Sequence, residues 1–444
     1  MSRVRDDAGM IQAYRAELLS VPHDPSTGAA PLHHADGLLV VEDGHVVAFG
    51  DHATLIPRFV DAPVTDLTGK LIVPGFVDCH VHYPQTDRIA SHGEQLLTWL
   101  ERHIFPEEAK FSDRAHADAV ARVFLDQLLM NGTTSALVFA TVHATSVDAL
   151  FEAALAREMR IVSGKVLMDR GPADLHDSVA SGRADSEALI RRWRGRGRLG
   201  YAVTPRFALT SSDAQLADAG ALLTEHPDVL LHTHLAENLG ECAAVAERFP
   251  DAGDYLDVYD RFGLVGPRSV FAHCIHMSDA AMARMGASGA GVAFCPTSNL
   301  FLGSGLFDLA LADRHGVGVG MGSDVGAGTT FSLLATMGEA YKIGQMRGTS
   351  LDPFRALYLA TAGGARTLGL ADRIGGLQPG QEADFVVLDP AATPLLARRT
   401  AGADLADRLF ALQILGDDRA VAATYVAGKR AWSRPSGAPA QAGA

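Results

Sequence analysis

Eight short apolar runs, at residues 73–81, 133–141, 160–168, 200–207, 229–235, 269–275, 291–295 and 316–323, alternate with stretches rich in Ala, Leu, Glu and Arg. Several runs are apolar almost without interruption, as parallel strands buried on both faces must be. This alternation predicts an α/β chain built on a (β/α)8, TIM-type barrel over residues 74–370. An open doubly wound sheet is the rival, but no glycine-rich dinucleotide fingerprint follows an early run. Residues 1–73 and 371–432 have a different texture, of short strands and turns. Leu38 to Gly50 reads as a hairpin around Asp43-Gly44. Residues 383–388 and 422–429 read as further strands. They predict a small β-sandwich domain assembled from both chain ends, which often lie close together in folded domains. Residues 433–444 are rich in Ser, Pro, Gly, Ala and Gln and read as a disordered tail.

The chain has 444 residues, 38 basic and 52 acidic, for a formal charge of −14. That balance argues against nucleic acid or an anionic membrane as the main partner. The start, Met1-Ser2-Arg3-Val4-Arg5, lacks an apolar leader, and no run reaches the length of a membrane span. Cys79, Cys242, Cys274 and Cys295 form no CxxC and read as reduced thiols of a cytoplasmic protein.

The first run ends in His80-Val81-His82. Side chains at i and i+2 of a strand share a face, so both imidazoles can reach one point. Neutral imidazole is the commonest metal ligand. His234 ends the fifth run, His273 the sixth and Asp324 the eighth. Barrel active sites are built at these C-terminal strand ends. Taken singly, each has a plainer account: a hydrogen-bonded core histidine, or an aspartate capping the next helix. Lining one mouth together, they point to a divalent metal. His232 shares a face with His234 and competes with it; nearness to the strand end favours His234, but periodicity does not decide. Glu237 lies three residues past His234, so the chain must turn between them if Glu237 is to face inward. A carboxylate so placed suits proton transfer rather than ligation. Three histidines and a carboxylate leave a divalent ion one position for water, whose pKa it lowers towards about 7. The chemistry expected is hydrolytic attack on an sp² carbon. The fourth run ends Thr204-Pro205-Arg206-Phe207, and an always-charged guanidinium there argues against a second cation.

Three other signals fail. His92-Gly93-Glu94 imitates a different zinc deaminase class, which needs Pro-Cys-x-x-Cys; here Cys295-Pro296 has the reverse order and no second cysteine. The tract from Arg191 to Arg198 looks basic enough for RNA, but in an acidic chain it reads as a solvated loop. Gly320-Met321-Gly322-Ser323 lacks the lysine of a phosphate loop.

The chain resembles the amidohydrolase superfamily. His-x-His on strand one, single histidines on strands five and six, and aspartate on strand eight carry the general likeness. Val81-His82-Tyr83-Pro84-Gln85, the segment from Gly93 to Leu100, Thr204-Pro205-Arg206-Phe207, His234-Leu235-Ala236-Glu237-Asn238, Cys295-Pro296-Thr297-Ser298-Asn299-Leu300 and Gly303-Ser304-Gly305-Leu306-Phe307 narrow it to the branch that deaminates guanine. The resemblance implies that His80, His82, His234 and Asp324 hold one zinc per subunit, with iron(II) or another divalent ion also compatible. It implies that His82, Gln85, Arg206, Phe207, Glu237 and Asp324 contact a small-molecule purine, and that Glu237, Asp324 and His273 are catalytic. It also implies a homodimer. The reaction expected is hydrolysis of guanine to xanthine and ammonia; the alternative is another amino-purine, pyrimidine or triazine. Residue chemistry agrees. Guanine's N7 and O6 are paired acceptors that suit arginine's fork, and the Gln85 amide can both donate and accept. Phe207 could stack on the ring or simply fill the core, and Arg206 could instead sit in a surface ion pair.

Overall fold

The computed structural model describes residues 11–435. The eight expected runs form the strands Phe76–His82, Thr133–Phe139, Arg160–Gly164 (continued by Val166–Leu167), Gly200–Pro205, Leu230–Leu235, Ser269–His273, Gly291–Phe294 and Gly318–Met321. They are numbered one to eight below. Neighbours pair in parallel and in chain order, with helices between them, giving the (β/α)8 barrel. Strand one begins later than the sequence suggests. Val73 belongs to strand Val64–Pro74 of the other sheet, where it pairs with Val386. Gly75 is the step between the two sheets: a Cβ there would sit 2.3 Å from Thr134 Oγ1.

No backbone ladder joins strand eight to strand one. The seam is closed residue by residue. Asp324 N donates to His80 O at 2.9 Å, and His82 N donates to Val325 O at 2.9 Å. The buried Asp78 carboxylate accepts from Ser323 N at 3.0 Å. Gly320 makes the close approach possible, since a Cβ would meet Cys79 Sγ at 2.4 Å. The seam therefore locks strand one, which carries His80 and His82, to the segment just after strand eight that carries Asp324.

The second sheet has seven strands in the order Lys429–Ser433, Val421–Val426, Phe385–Leu388, Val64–Pro74, Ile11–Ser20, Leu32–Glu42, His45–Asp51. Only Ile11–Ser20 and Val64–Pro74 pair in parallel. The expected hairpin turns at Asp43-Gly44, with φ of 49° and 78°, as a two-residue hairpin loop of the primed type demands. Tyr14 and Tyr425 meet with ring centroids 5.1 Å apart, although two strands separate theirs in the sheet. Three strand spacings in a flat sheet would be about 14 Å. Gly428, beside strand Val421–Val426, also comes against Val41 of strand Leu32–Glu42, so the chain ends build one curled sheet around a shared core. The C-terminal part is not all β: helices Pro394–Thr400 and Leu405–Leu415 leave the sheet and pack beside the barrel, with Phe410 against Tyr341 at 4.8 Å. Ser433, first residue of the expected tail, instead ends a strand, and Arg434 N donates to Ala422 O. Residues 436–444 of the expected tail, and the N-terminal residues 1–10 on which the leader expectation falls, lie outside the described residues.

The arginine tract is mostly exposed, as expected, although Arg191 and Arg192 lie on the end of a helix, Val179–Trp193, rather than on a loop. Arg192 reaches Asp148 and Arg194 reaches Asp228. Arg198 is largely buried, not on a solvated loop. It donates to Glu382 Oε2 at 2.8 Å and Asp384 Oδ1 at 3.0 Å, while Arg160 Nε reaches Glu382 at 2.9 Å. This cluster pins the barrel to the curled sheet. Removing one member of a buried ion cluster leaves stranded charge, at a cost of about 3 kcal/mol. Arg198→Met should lower the urea midpoint accordingly without changing the secondary structure seen by circular dichroism at low denaturant. An unchanged midpoint would mean the cluster adds nothing net.

Candidate active site

His80, His82, His234, His273 and Asp324 meet at the C-terminal mouth of the barrel. His82 Nε2 lies 3.1 Å from His80 Nε2 and 3.3 Å from His234 Nε2. Asp324 Oδ1 lies 3.2 Å from His80 Nε2 and 3.4 Å from His82 Nε2. His80, His82 and His234 form one group able to hold a metal ion, and His80, His273 and Asp324 a second. The distant partners settle which nitrogens face the centre. His234 Nδ1 lies 2.7 Å from Arg206 O, which can only accept, so Nδ1 carries the proton and Nε2 a bare lone pair. Burial pushes the His82 imidazole down to about 3 and keeps His80 and His234 below their ordinary range, so all three are neutral. Burial would raise Asp324, but His80 and His82 outweigh it and hold the carboxyl well below its usual value. Uncharged imidazoles and an ionised carboxylate crowded round one point suit a divalent cation.

The competition between His232 and His234 is resolved. His232 lies one layer deeper, its Nε2 2.7 Å from His80 Nδ1, where it orients that ring. His234 alone of the two joins the central group.

The turn required after His234 is present. Ala236 has φ of 50°, in the left-handed region, which breaks strand alternation and swings Glu237 inward. Glu237 is 3% exposed and its Oε2 lies 3.4 Å from His273 Nε2. Burial, then the neighbouring Asp324 and Glu241, raise its pKa well above the usual carboxyl range. His273 and Asp324 also take positive φ, of 73° and 50°. Non-glycine residues adopt that conformation at a cost, and such costs cluster at functional sites.

Gln85, Arg206 and Phe207 line the same pocket as His82, Glu237 and Asp324. Arg206 is not in a surface pair. It is 2% exposed and donates through Nη1 to the equally buried Glu108. Phe207 joins Leu96, Trp99 and Leu100 in an apolar cluster that forms one wall.

Sequence reasoning assigned no role to several groups now in view. Asn299 Oδ1 accepts from His273 Nδ1 at 3.1 Å, which leaves His273 Nε2 for the centre. Glu241 Oε2 accepts from Glu237 N at 2.9 Å and from Asn238 N at 3.1 Å, holding the turned segment in place. Trp99 and Leu100 cover the pocket beside a π-helical turn over Leu100–Ile104, an irregularity often found at working sites. Asn299 and Trp99 fall in segments quoted above as family-like; nothing in the sequence marked Glu108.

A family model described as the amidohydrolase family matches residues 71–431. The chain belongs to the amidohydrolase family. Of its relatives, guanine deaminase of Escherichia coli K12 is 51% identical to this amidohydrolase over 402 residues, covering 90% of this chain and 92% of the relative. A solved E. coli guanine deaminase superposes with a TM-score of 0.93 at 48% identity, covering 95% of this chain and 100% of that one. Guanine deaminase from C. acetobutylicum, solved with guanine in its active site, has a TM-score of 0.87 at 29% identity over 95% and 99% of the two chains. An adenosine deaminase from Xanthomonas campestris, solved with zinc bound, has a TM-score of 0.82 at 26% identity over 94% and 92%. This amidohydrolase, then, has the likeness of a metal-dependent hydrolase along nearly its whole length. Among its described residues no helix is long and apolar enough to cross a membrane.

Proposed function

We propose that this amidohydrolase deaminates guanine to xanthine and ammonia, with His80, His82, His234 and Asp324 holding one zinc ion. The observation that carries this reading is a single pocket with two walls. One presents the His/Asp cluster and Glu237; the other presents Arg206, Gln85 and Phe207. Arginine's fork matches the O6/N7 acceptor edge of guanine. An amino group at that edge, as in adenine, would meet donors and be disfavoured. The relatives named above support the same choice of ring and of ion.

When bound, the ion supplies the Lewis acid that makes water nucleophilic near neutral pH. The remaining work falls to side chains. Arg206 and Gln85 orient the purine so that C2 faces the His/Asp cluster. Asp324, held ionised, accepts a proton from the attacking water. Glu237, held protonated, gives its proton to N3 as C2 becomes tetrahedral and regains one from the new C2 hydroxyl as the carbonyl forms, while the proton held by Asp324 passes to the amine, which leaves as ammonia. Two carboxyl groups whose surroundings drive their pKa values apart are suited to opposite roles of base and acid. His273, its Nδ1 proton engaged by Asn299, presents Nε2 to orient the attacking water by accepting from it. The four cysteines carry no disulfide, in keeping with a cytoplasmic setting. A homodimer completes the reading.

The direct test is incubation of purified protein with guanine, assayed for ammonia and xanthine. Removal of the ion by a chelator should abolish turnover, and zinc should restore it. Full activity in a preparation free of transition ions would end the metal reading.

A further inference from the structure

Glu108 sits on the short helix Phe105–Glu108, buried behind the recognition wall at 2% exposure. Its neighbour Glu107 turns away, towards Arg88 and Lys110. Glu108 turns in. Its Oε2 accepts from Arg206 Nη1 at 2.5 Å, and its Oε1 accepts from Gln85 Nε2 at 3.1 Å. At the other end of the Gln85 amide, Oε1 accepts from Gly326 N at 3.1 Å. These partners make opposite demands. A carboxylate only accepts and a backbone N–H only donates, so reversing the amide would set like against like at both ends. The Arg206 guanidinium is held as well, by Glu108 and by the Phe105 ring of the same helix at 5.2 Å. One carboxylate therefore fixes both polar groups of the wall.

The geometry points to Glu108 as the positioning residue that sets the pocket's hydrogen-bond polarity. It aims Arg206, which can only donate, and commits the remaining Gln85 N–H to donate, and so selects a purine with an oxo group at C6 over one with an amino group. This inference rests on the reading of Arg206 and Gln85 as purine-recognising groups. It adds a residue that touches neither the substrate nor the metal cluster.

The test is Glu108→Gln, with Glu108→Asp as the variant that keeps the charge. A glutamine at this position removes one of the two groups that dictate the sense of the Gln85 amide and leaves only Gly326 N to hold it, so the amide oxygen turns towards the ring more readily. The guanine KM should rise roughly 30-fold or more, the scale of losing one partner of a buried charged pair. The kcat should stay within about threefold, because recognition and not chemistry is weakened. As competitive inhibitors, hypoxanthine should bind Glu108→Gln more weakly while adenine binds as well or better, so that the oxo preference narrows. Glu108→Asp should recover much of that preference. Metal content should match the wild type. Equal weakening of both inhibitors together with a collapsed kcat, or an unchanged preference, would overturn the inference and leave Glu108 a packing group. The two readings fail separately: a wild-type protein inert towards guanine sinks the proposed function, whereas an active wild type with an unaltered Glu108→Gln preference sinks only the role of Glu108.

Discussion

Glu237→Gln lowers guanine turnover by a factor of about 10²–10⁴ or more and leaves metal content unchanged. The expectation follows from where Glu237 lies. It is buried beside the His/Asp cluster, 3.4 Å from His273, yet outside both groups of residues able to hold a metal. Its carboxyl is raised well above the ordinary range, by burial first and then by Asp324 and Glu241. A carboxylic acid that keeps its proton at neutral pH can donate it to a ring nitrogen. Glutamine keeps the shape and the hydrogen-bonding reach but has no proton to transfer. The sign of the pH effect follows too. Activity that needs the protonated acid falls as pH rises through the raised pKa, so the alkaline limb of the kcat profile should vanish in the variant. Metal analysis of Glu237→Gln separates the alternatives. Loss of the ion would make Glu237 a ligand, and near-normal turnover would remove it from the chemistry.

Arg206→Ala loses guanine turnover by roughly 10³-fold or more in kcat/KM, because a site built to hydrogen-bond an acceptor edge is left without its main donor. The structure adds a complication. Arg206 also neutralises Glu108, which alanine would strand as a buried charge. Arg206→Ala alone could therefore lose stability as well as recognition. The double change Arg206→Ala with Glu108→Gln removes the stranded carboxylate. Its melting temperature should recover towards the wild type while turnover stays lost. Turnover that returned with stability would assign Arg206 to the fold rather than to the substrate.

Much of this architecture can be read from local pattern. The eight apolar runs became eight parallel strands in chain order, and Asp43-Gly44 became the turn of a hairpin. The strand ends were the errors. The first run merged residues of two sheets, because Val73 and Phe76 are equally apolar and only the step at Gly75 divides them. Helices Pro394–Thr400 and Leu405–Leu415 were absorbed into a β domain because nothing local says which body a helix will pack on. Four of the tract's five arginines are exposed as expected; Arg198 alone departs, because its partners Glu382 and Asp384 lie far along the chain.

The order of residues alone determined that His80 and His82 share a strand face and that His234, His273 and Asp324 lie at or just past the ends of strands of one parallel barrel. Side-chain period and strand polarity are properties of the local backbone, and a barrel gathers all such ends at one mouth. Only the tertiary structure decided that His232 backs His80 while His234 faces the cluster, and that Ala236 turns Glu237 inward. It alone joined Glu108 to Arg206, 98 residues away, and Asn299 to His273, 26 away. Those choices depend on depth, on backbone conformation at single residues and on partners brought near by folding, none of which a periodic pattern records.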